Sequence, residues 1–185
     1  MFFRLAMPSF VKPALLVPLL LASVAGCSGP DKNTFAPTCP RAAILGDAAD
    51  LTRYRDGGGR DLTDLVLSGR IMGVSGQCKP GDTASQLSTS LQVTIQLTRG
   101  PAMTQRDAVA TLFVAVSDGD QILDKKLFPV RVQFQPNADT TRLTTDAITM
   151  TLPISPNKPG ASYALTAGFQ LTPEELELNR SNPRH

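Results

Sequence analysis

The chain has 185 residues, with 18 Lys and Arg against 16 Asp and Glu. That near balance excludes the basic sweep that nucleic acid would select. Its one histidine is the last residue, His185, which leaves no material for a histidine general base or a histidine metal cage. The length suffices for one domain with its own core.

The first twelve residues carry Arg4 and Lys12 and no acid, and residues 14–24 follow as an apolar run. That run has the length of a signal-peptide core and falls short of the ~20 residues that span a bilayer. It closes on Val24-Ala25-Gly26-Cys27, an aliphatic residue, two small residues and a cysteine. The stretch resembles the lipobox of bacterial prolipoproteins. The resemblance implies a diacylglyceryl group on the Cys27 thiol, cleavage before Cys27 and acylation of the new amine. Several acyl chains hold a protein far more firmly than one. Ser28, where an inner-membrane retention signal would place Asp, implies the outer membrane, with the domain facing the periplasm. The expected organisation is a signal peptide at 1–26, a lipidated tether at 27–38, a folded domain at 39–180 and a frayed tail at 181–185. Beyond the lipobox the chain is similar to uncharacterised envelope lipoproteins of Gram-negative bacteria, a likeness that carries no biochemical role.

Loss of Arg4 and Lys12 with the signal leaves basic and acidic groups equal in number. With Cys27 lipidated, Cys39 and Cys78 remain as an even pair, which an oxidising envelope joins as a structural disulfide. It would close a loop of about 40 residues, worth roughly 4 kcal/mol by chain entropy. No Cys-x-x-Cys supports a redox or metal role.

Residues 28–38 are polar and broken by Gly29, Pro30 and Pro37, as a tether is; fully extended they reach at most about 39 Å. Ala42-Ala43-Ile44-Leu45 reads as a short edge strand or the start of a helical turn. Next, Arg53, Arg55 and Arg60 surround Gly57, Gly58 and Gly59. Glycine amides and guanidinium forks hold phosphate or carboxylate, so these six residues are the candidate anion or partner site. The Gly-x4-Gly-Lys-Ser/Thr spacing is absent. Asp56 and Asp61 stand beside the arginines and can neutralise two of them, and a solvated loop is the alternative.

From residue 62 the pattern has period two. Leu65, Leu67, Gly69, Ile71 and Gly73 form one face of a strand ending near Cys78, with a turn at Lys79-Pro80-Gly81-Asp82. Leu87, Leu91, Val93, Ile95 and Leu97 then face one way, and Ser88, Ser90, Gln92, Thr94, Gln96 and Thr98 the other. This predicts a half-buried strand with one wet side. Residues 109–117 are almost wholly apolar and predict a central strand covered on both sides. Asp118-Gly119 signals a hairpin, and residues 121–134 return as a strand whose Pro129 demands an edge or a bulge. Asp118, Asp120 and Asp124 do not match the spacing of a calcium loop. Residues 142–154 and 163–171 predict two more strands. Thr172, Pro173 and Glu175 predict a capped C-terminal helix.

Six or seven strands joined by turns predict an all-β fold. The expected architecture is an antiparallel β-sandwich of immunoglobulin- or fibronectin-like Greek-key type with a short C-terminal helix, a barrel being the alternative. The Trp of antibody cores is missing. The expected function is a non-catalytic binding or assembly module without cofactor or metal. It would be lipid-anchored to the membrane and engage an envelope protein or anionic head groups through loops or a sheet edge. The alternative is a hydrolase of envelope polymers using carboxylates among Asp56, Asp61 and Asp64.

Overall fold

The computed structural model describes residues 38–181. The expected signal peptide, the lipobox with Cys27, the tether up to residue 37 and the last four residues lie outside them. The described residues form nine strands: β1 (Arg41–Ile44), β2 (Asp50–Tyr54), β3 (Leu65–Pro80), β4 (Gln86–Arg99), β5 (Asp107–Asp118), β6 (Gln121–Gln133), β7 (Thr140–Thr144), β8 (Ile148–Pro153) and β9 (Tyr163–Phe169). One helix, α1 (Pro173–Ser181), ends the described chain. The strands make two sheets, ordered β1-β9-β5-β6 and β2-β3-β4-β7, with β8 also paired to β4. Every pairing is antiparallel except that of β1 with β9.

The fold is an all-β sandwich with a short C-terminal helix. The chain passes from β4 to β5 and from β8 to β9, each time changing sheets, yet β4 pairs with β8 and β5 pairs with β9. Such interlocked pairs are the Greek key of immunoglobulin-type sandwiches. In that pattern β3-β4-β8 stand as A-B-E and β6-β5-β9 as C′-C-F. β1 takes the place of G and runs parallel to its neighbour.

The core follows from the alternation. Leu87, Leu91, Val93, Ile95 and Leu97 of β4 share one buried cluster with Ala110, Leu112, Val114 and Val116 of β5 and Phe169 of β9. On the outer face of β5, Phe113 and Ala115 form a second cluster with Ala48, and Leu171 packs against it. This explains the continuous apolar stretch of β5, which is buried on both faces from Leu112 to Val116.

Three expectations need correction. Residues 142–154 form two strands, not one. The Thr145 hydroxyl accepts the Val93 N–H at 3.1 Å and the Thr145 N–H donates to the Val93 carbonyl at 3.0 Å. A side chain thus replaces a ladder step, and residues 145–147 loop out between β7 and β8. In β3 a bulge between Ile71 and Gly73 reverses the alternation, so Val74 rather than Gly73 packs against the core. The strand continues through Pro80, and the turn starts at Gly81, whose N–H donates to the Gln86 carbonyl at 2.8 Å.

Other local signals read true. Ala42–Ile44 lie in an edge strand, not a helix. A two-residue link at Gly119 and Asp120 joins β5 to β6, with Gly119 at φ +56°. Pro129 lies on the edge strand β6. The Thr172 hydroxyl accepts the Glu175 N–H at 3.2 Å while Glu175 Oε2 accepts the Thr172 N–H at 2.9 Å, a reciprocal capping box. Cys39 and Cys78 are bonded, their Cα atoms 5.6 Å apart, which ties the segment before β1 to the end of β3.

Candidate functional site

The link from β2 to β3 brings all six expected residues to one cleft. Arg53, Arg55, Arg60 and Gly57 to Gly59 line a depression of about 370 Å³ together with Tyr54, Asp56, Glu174 and Glu175. The link turns at Gly57, whose φ of +70° an L side chain rarely adopts. It then folds over Asp64, a residue only 6 % exposed. Arg55 Nη2 donates to Asp64 Oδ1, and the Gly59 N–H donates to Asp64 Oδ2 at 2.8 Å. A Cβ on Gly58 would lie 2.9 Å from Asp64 Oδ1, and one on Gly59 would lie 3.0 Å from Asp64 Oδ2. The glycines and a guanidinium therefore cradle a carboxylate, and it is the chain's own.

Arg53 is engaged as well. Its Nε donates to Glu175 Oε1 at 2.9 Å and its Nη1 to the Val109 carbonyl at 3.3 Å. Glu175 thus closes the capping box with one oxygen and fixes α1 to β2 with the other. The partners of the arginines are Asp64 and Glu175, not Asp56 and Asp61. Arg60 alone of the three has no hydrogen-bonded partner among the described residues; its charge helps hold the Glu174 carboxyl below the usual range. The larger causes there are the Glu174 backbone N–H and the Thr172 hydroxyl. The cleft lining carries as many carboxylates as guanidinium groups, so it offers an outside anion no net attraction.

Of the carboxylates weighed for hydrolysis, Asp64 has both oxygens occupied. Asp61 caps a short 3₁₀ turn at Leu62–Asp64, accepting from the Thr63 hydroxyl at 2.6 Å and the Thr63 N–H at 2.7 Å. These bonds, the hydroxyl's first, hold its carboxyl below the ordinary 3.8. Asp118, of the acidic trio at the β5–β6 hairpin, pairs with Lys158 at 2.6 Å. Among the described residues no group of His, Cys, Asp and Glu is disposed to hold a metal ion.

The sandwich has a second feature that the sequence only hinted at through Pro129. Three of its lateral edges are short, covered or broken. β1 has 4 residues, β2 has 5 and lies beside α1, and β7 and β8 are separated by residues 145–147. β6 has 13 residues and, among the described residues, pairs only with β5. Its surface is apolar in places, Ile122 being 66 % and Leu127 54 % exposed. Between β6 and the β7–β8 link lies a cleft of about 480 Å³ lined by Phe128, Val130, Leu143 and Ile148 with polar residues at its rim.

The direction of the free backbone groups on β6 follows from β5. The Thr111 carbonyl accepts the Gln170 N–H, beyond the end of β9, at 2.8 Å, so the polar groups of Thr111 point toward β9. Its opposite residue on β6 is Pro129. The pair is therefore a non-hydrogen-bonded one, and the backbone of Pro129 faces outward. By strand alternation the N–H groups of Leu127 and Arg131 face outward too. Pro129 removes a donor from the middle of this row, the usual protection of a long edge.

Comparison with protein-family models, with curated proteins and with solved structures finds no match. The functional reading therefore rests on these surfaces. Among the described residues no helix is long and apolar enough to cross a membrane.

Proposed function

We propose that the protein is a lipid-anchored envelope protein, held through Cys27 in the outer membrane, whose domain is a non-catalytic binding and assembly module. The observation that supports it is the free edge of β6. A partner strand laid along that edge would complete backbone hydrogen bonds at Leu127 and Arg131. Alternate side chains of the added strand would enter the apolar cleft between β6 and β7–β8. Backbone pairing supplies affinity and the cleft supplies selectivity, as in β-strand addition generally. The arginine–glycine loop, expected to meet anionic head groups or a partner, contributes mainly to holding α1 and the β2–β3 link. Hydrolysis of envelope polymers by Asp56, Asp61 and Asp64 is the weaker alternative, because Asp64 is consumed by Arg55 and Gly59.

Two variants test the edge. Leu127→Pro removes an outward N–H without removing a bond to β5, so the melting temperature should hold while site-specific photo-crosslinking from Lys125 to envelope proteins is lost. Pro129→Thr adds a donor to the row and should strengthen the same adducts. Crosslinks unchanged in both variants would remove β6 from consideration. The anchor is tested separately by intact mass of the membrane-extracted protein, which should begin at Cys27 with added acyl mass. A mature protein with an unmodified Cys27 would refute the lipid anchor and leave the edge untouched.

A further inference from the structure

The side chains of β6 alternate between two surroundings. Phe128, Val130 and Val132 turn to the core between the sheets. By the same alternation Lys125, Leu127, Pro129 and Arg131 stand on the outer face, opposite Ala115, Phe113, Thr111 and Val109 of β5. On that face Lys125 Nζ lies 4.5 Å from the centre of the Phe113 ring. The outer row of β6 thus carries a cation at each end, with exposed Leu127 and Pro129 between them.

Among the described residues neither cation forms an ion pair. Their register partners on β5 are an alanine and a valine. Asp124 of β6 stands opposite Val116, on the core-side face, and lies 3.9 Å from Lys126. Asp107 stands opposite Gln133, beyond Arg131 and away from the edge, and Asp146 shares the cleft lining with Arg131 without pairing to it. A strand added along β6 would set its side chains directly beside this outer row. Opposite charges there stabilise a strand pair and like charges destabilise it. A second copy of β6 fits poorly on that ground. In a continuous sheet its outer-face residues meet only outer-face residues, and β6 carries no acid on that face. One such register would set Lys125 against Arg131 of the second copy.

We infer that the occupant of the β6 edge is an acidic extended segment of another protein, with carboxylates six positions apart beside Lys125 and Arg131. The inference rests on the edge reading above and names the chemistry of its partner. The rest of the edge sets the pattern between the two acids. Residues beside Phe128 and Val130 enter the cleft between the sheets and are apolar. The residue beside Leu127 meets an exposed leucine and is apolar as well. The residue opposite Pro129 finds no N–H, so its carbonyl stays with water. From the Arg131 end to the Lys125 end the segment reads acid, apolar, unrestricted, apolar, apolar, polar, acid. Exposed charge pairs are individually weak, so backbone pairing and the cleft supply affinity and the cations supply selectivity.

The probes are three dye-labelled peptides: Glu-Val-Thr-Val-Val-Thr-Glu, and the same sequence with Gln or with Lys in place of both Glu residues. Binding to the full chain in uncharged detergent is read by fluorescence anisotropy at low salt. The Glu peptide should bind about three- to tenfold more tightly than the Gln peptide and the Lys peptide most weakly, with the differences shrinking as salt is added. Lys125→Gln with Arg131→Gln should bind the Glu and Gln peptides alike at an unchanged melting temperature. Leu127→Pro should weaken binding of both. Equal binding of all three peptides to wild type would overturn the acidic partner and leave the edge standing. Undiminished binding of the Glu peptide to Leu127→Pro, or no binding of any peptide to wild type, would overturn the edge as well. Self-association of wild type that Leu127→Pro abolishes would put a second copy on the edge in place of the acidic segment.

Discussion

Reduction of the Cys39–Cys78 bond is expected to lower the melting temperature by roughly 8–16 °C. The chain-entropy value for a loop of this size is roughly 4 kcal/mol, and a domain of this length loses about 2–4 °C per kcal/mol. The structure says where the loss appears first. Cys39 precedes β1, a four-residue edge strand that pairs with β9 in parallel and packs on the core through Ala42 and Ile44. Nearby, the Ala161 N–H donates to Thr38 Oγ1 at 3.3 Å, a side-chain bond at the start of the described segment. Cys78 lies at the far end of β3, in the other sheet, packed against the core. The bond is therefore a staple between sheets. Amide exchange in residues 41–45 should rise on reduction before that of β3 and β4, and the double variant Cys39→Ser, Cys78→Ser should reproduce both effects. An unchanged melting temperature would show that the bond restrains nothing the pairing of β1 does not already hold.

How much of this was legible in the chain depended on range. The alternation of β4 was plain because one face is buried and the other wet, a condition met within a single strand. The capping box of α1 was legible because its two bonds join residues three apart. The partners of the arginines were not. Arg53 reaches Glu175 across 122 positions, and Arg55 selects Asp64 over the nearer Asp56 because the turn at Gly57 folds the link over it. The cradle of glycine amides and guanidinium holds Asp64, an occupant nine positions from Arg55 that only the folded link brings into reach. The split of β7 from β8 was hidden because the Thr145 side chain substitutes for backbone only once β4 lies alongside. The free edge of β6 is a property of strand order, and Pro129 was its one local trace.

The β6 edge rests on the core between the two sheets, and at one point in that core two strands approach closely.

That point is where Leu97 of β4 passes Gly69 of β3, its register partner. Leu97 is 0 % exposed. A Cβ on Gly69 would lie 2.6 Å from Leu97 Cδ2 and 3.1 Å from Phe169 Cζ, so the leucine fills the space that glycine leaves open. Leu97→Ala is expected to destabilise the domain by about 2–5 kcal/mol, through lost burial plus the cavity left behind. Gly69→Ala, by overpacking against Leu97 and Phe169, is expected to lose about 1–3 kcal/mol. Combined, the new methyl enters space that Leu97 has vacated, so the double variant should be more stable than the sum of the two losses predicts. Denaturant unfolding of wild type, both single variants and the double variant measures this coupling directly. Strict additivity would mean that the two positions relax independently, and that the close approach of β3 and β4 at this row does not constrain the core.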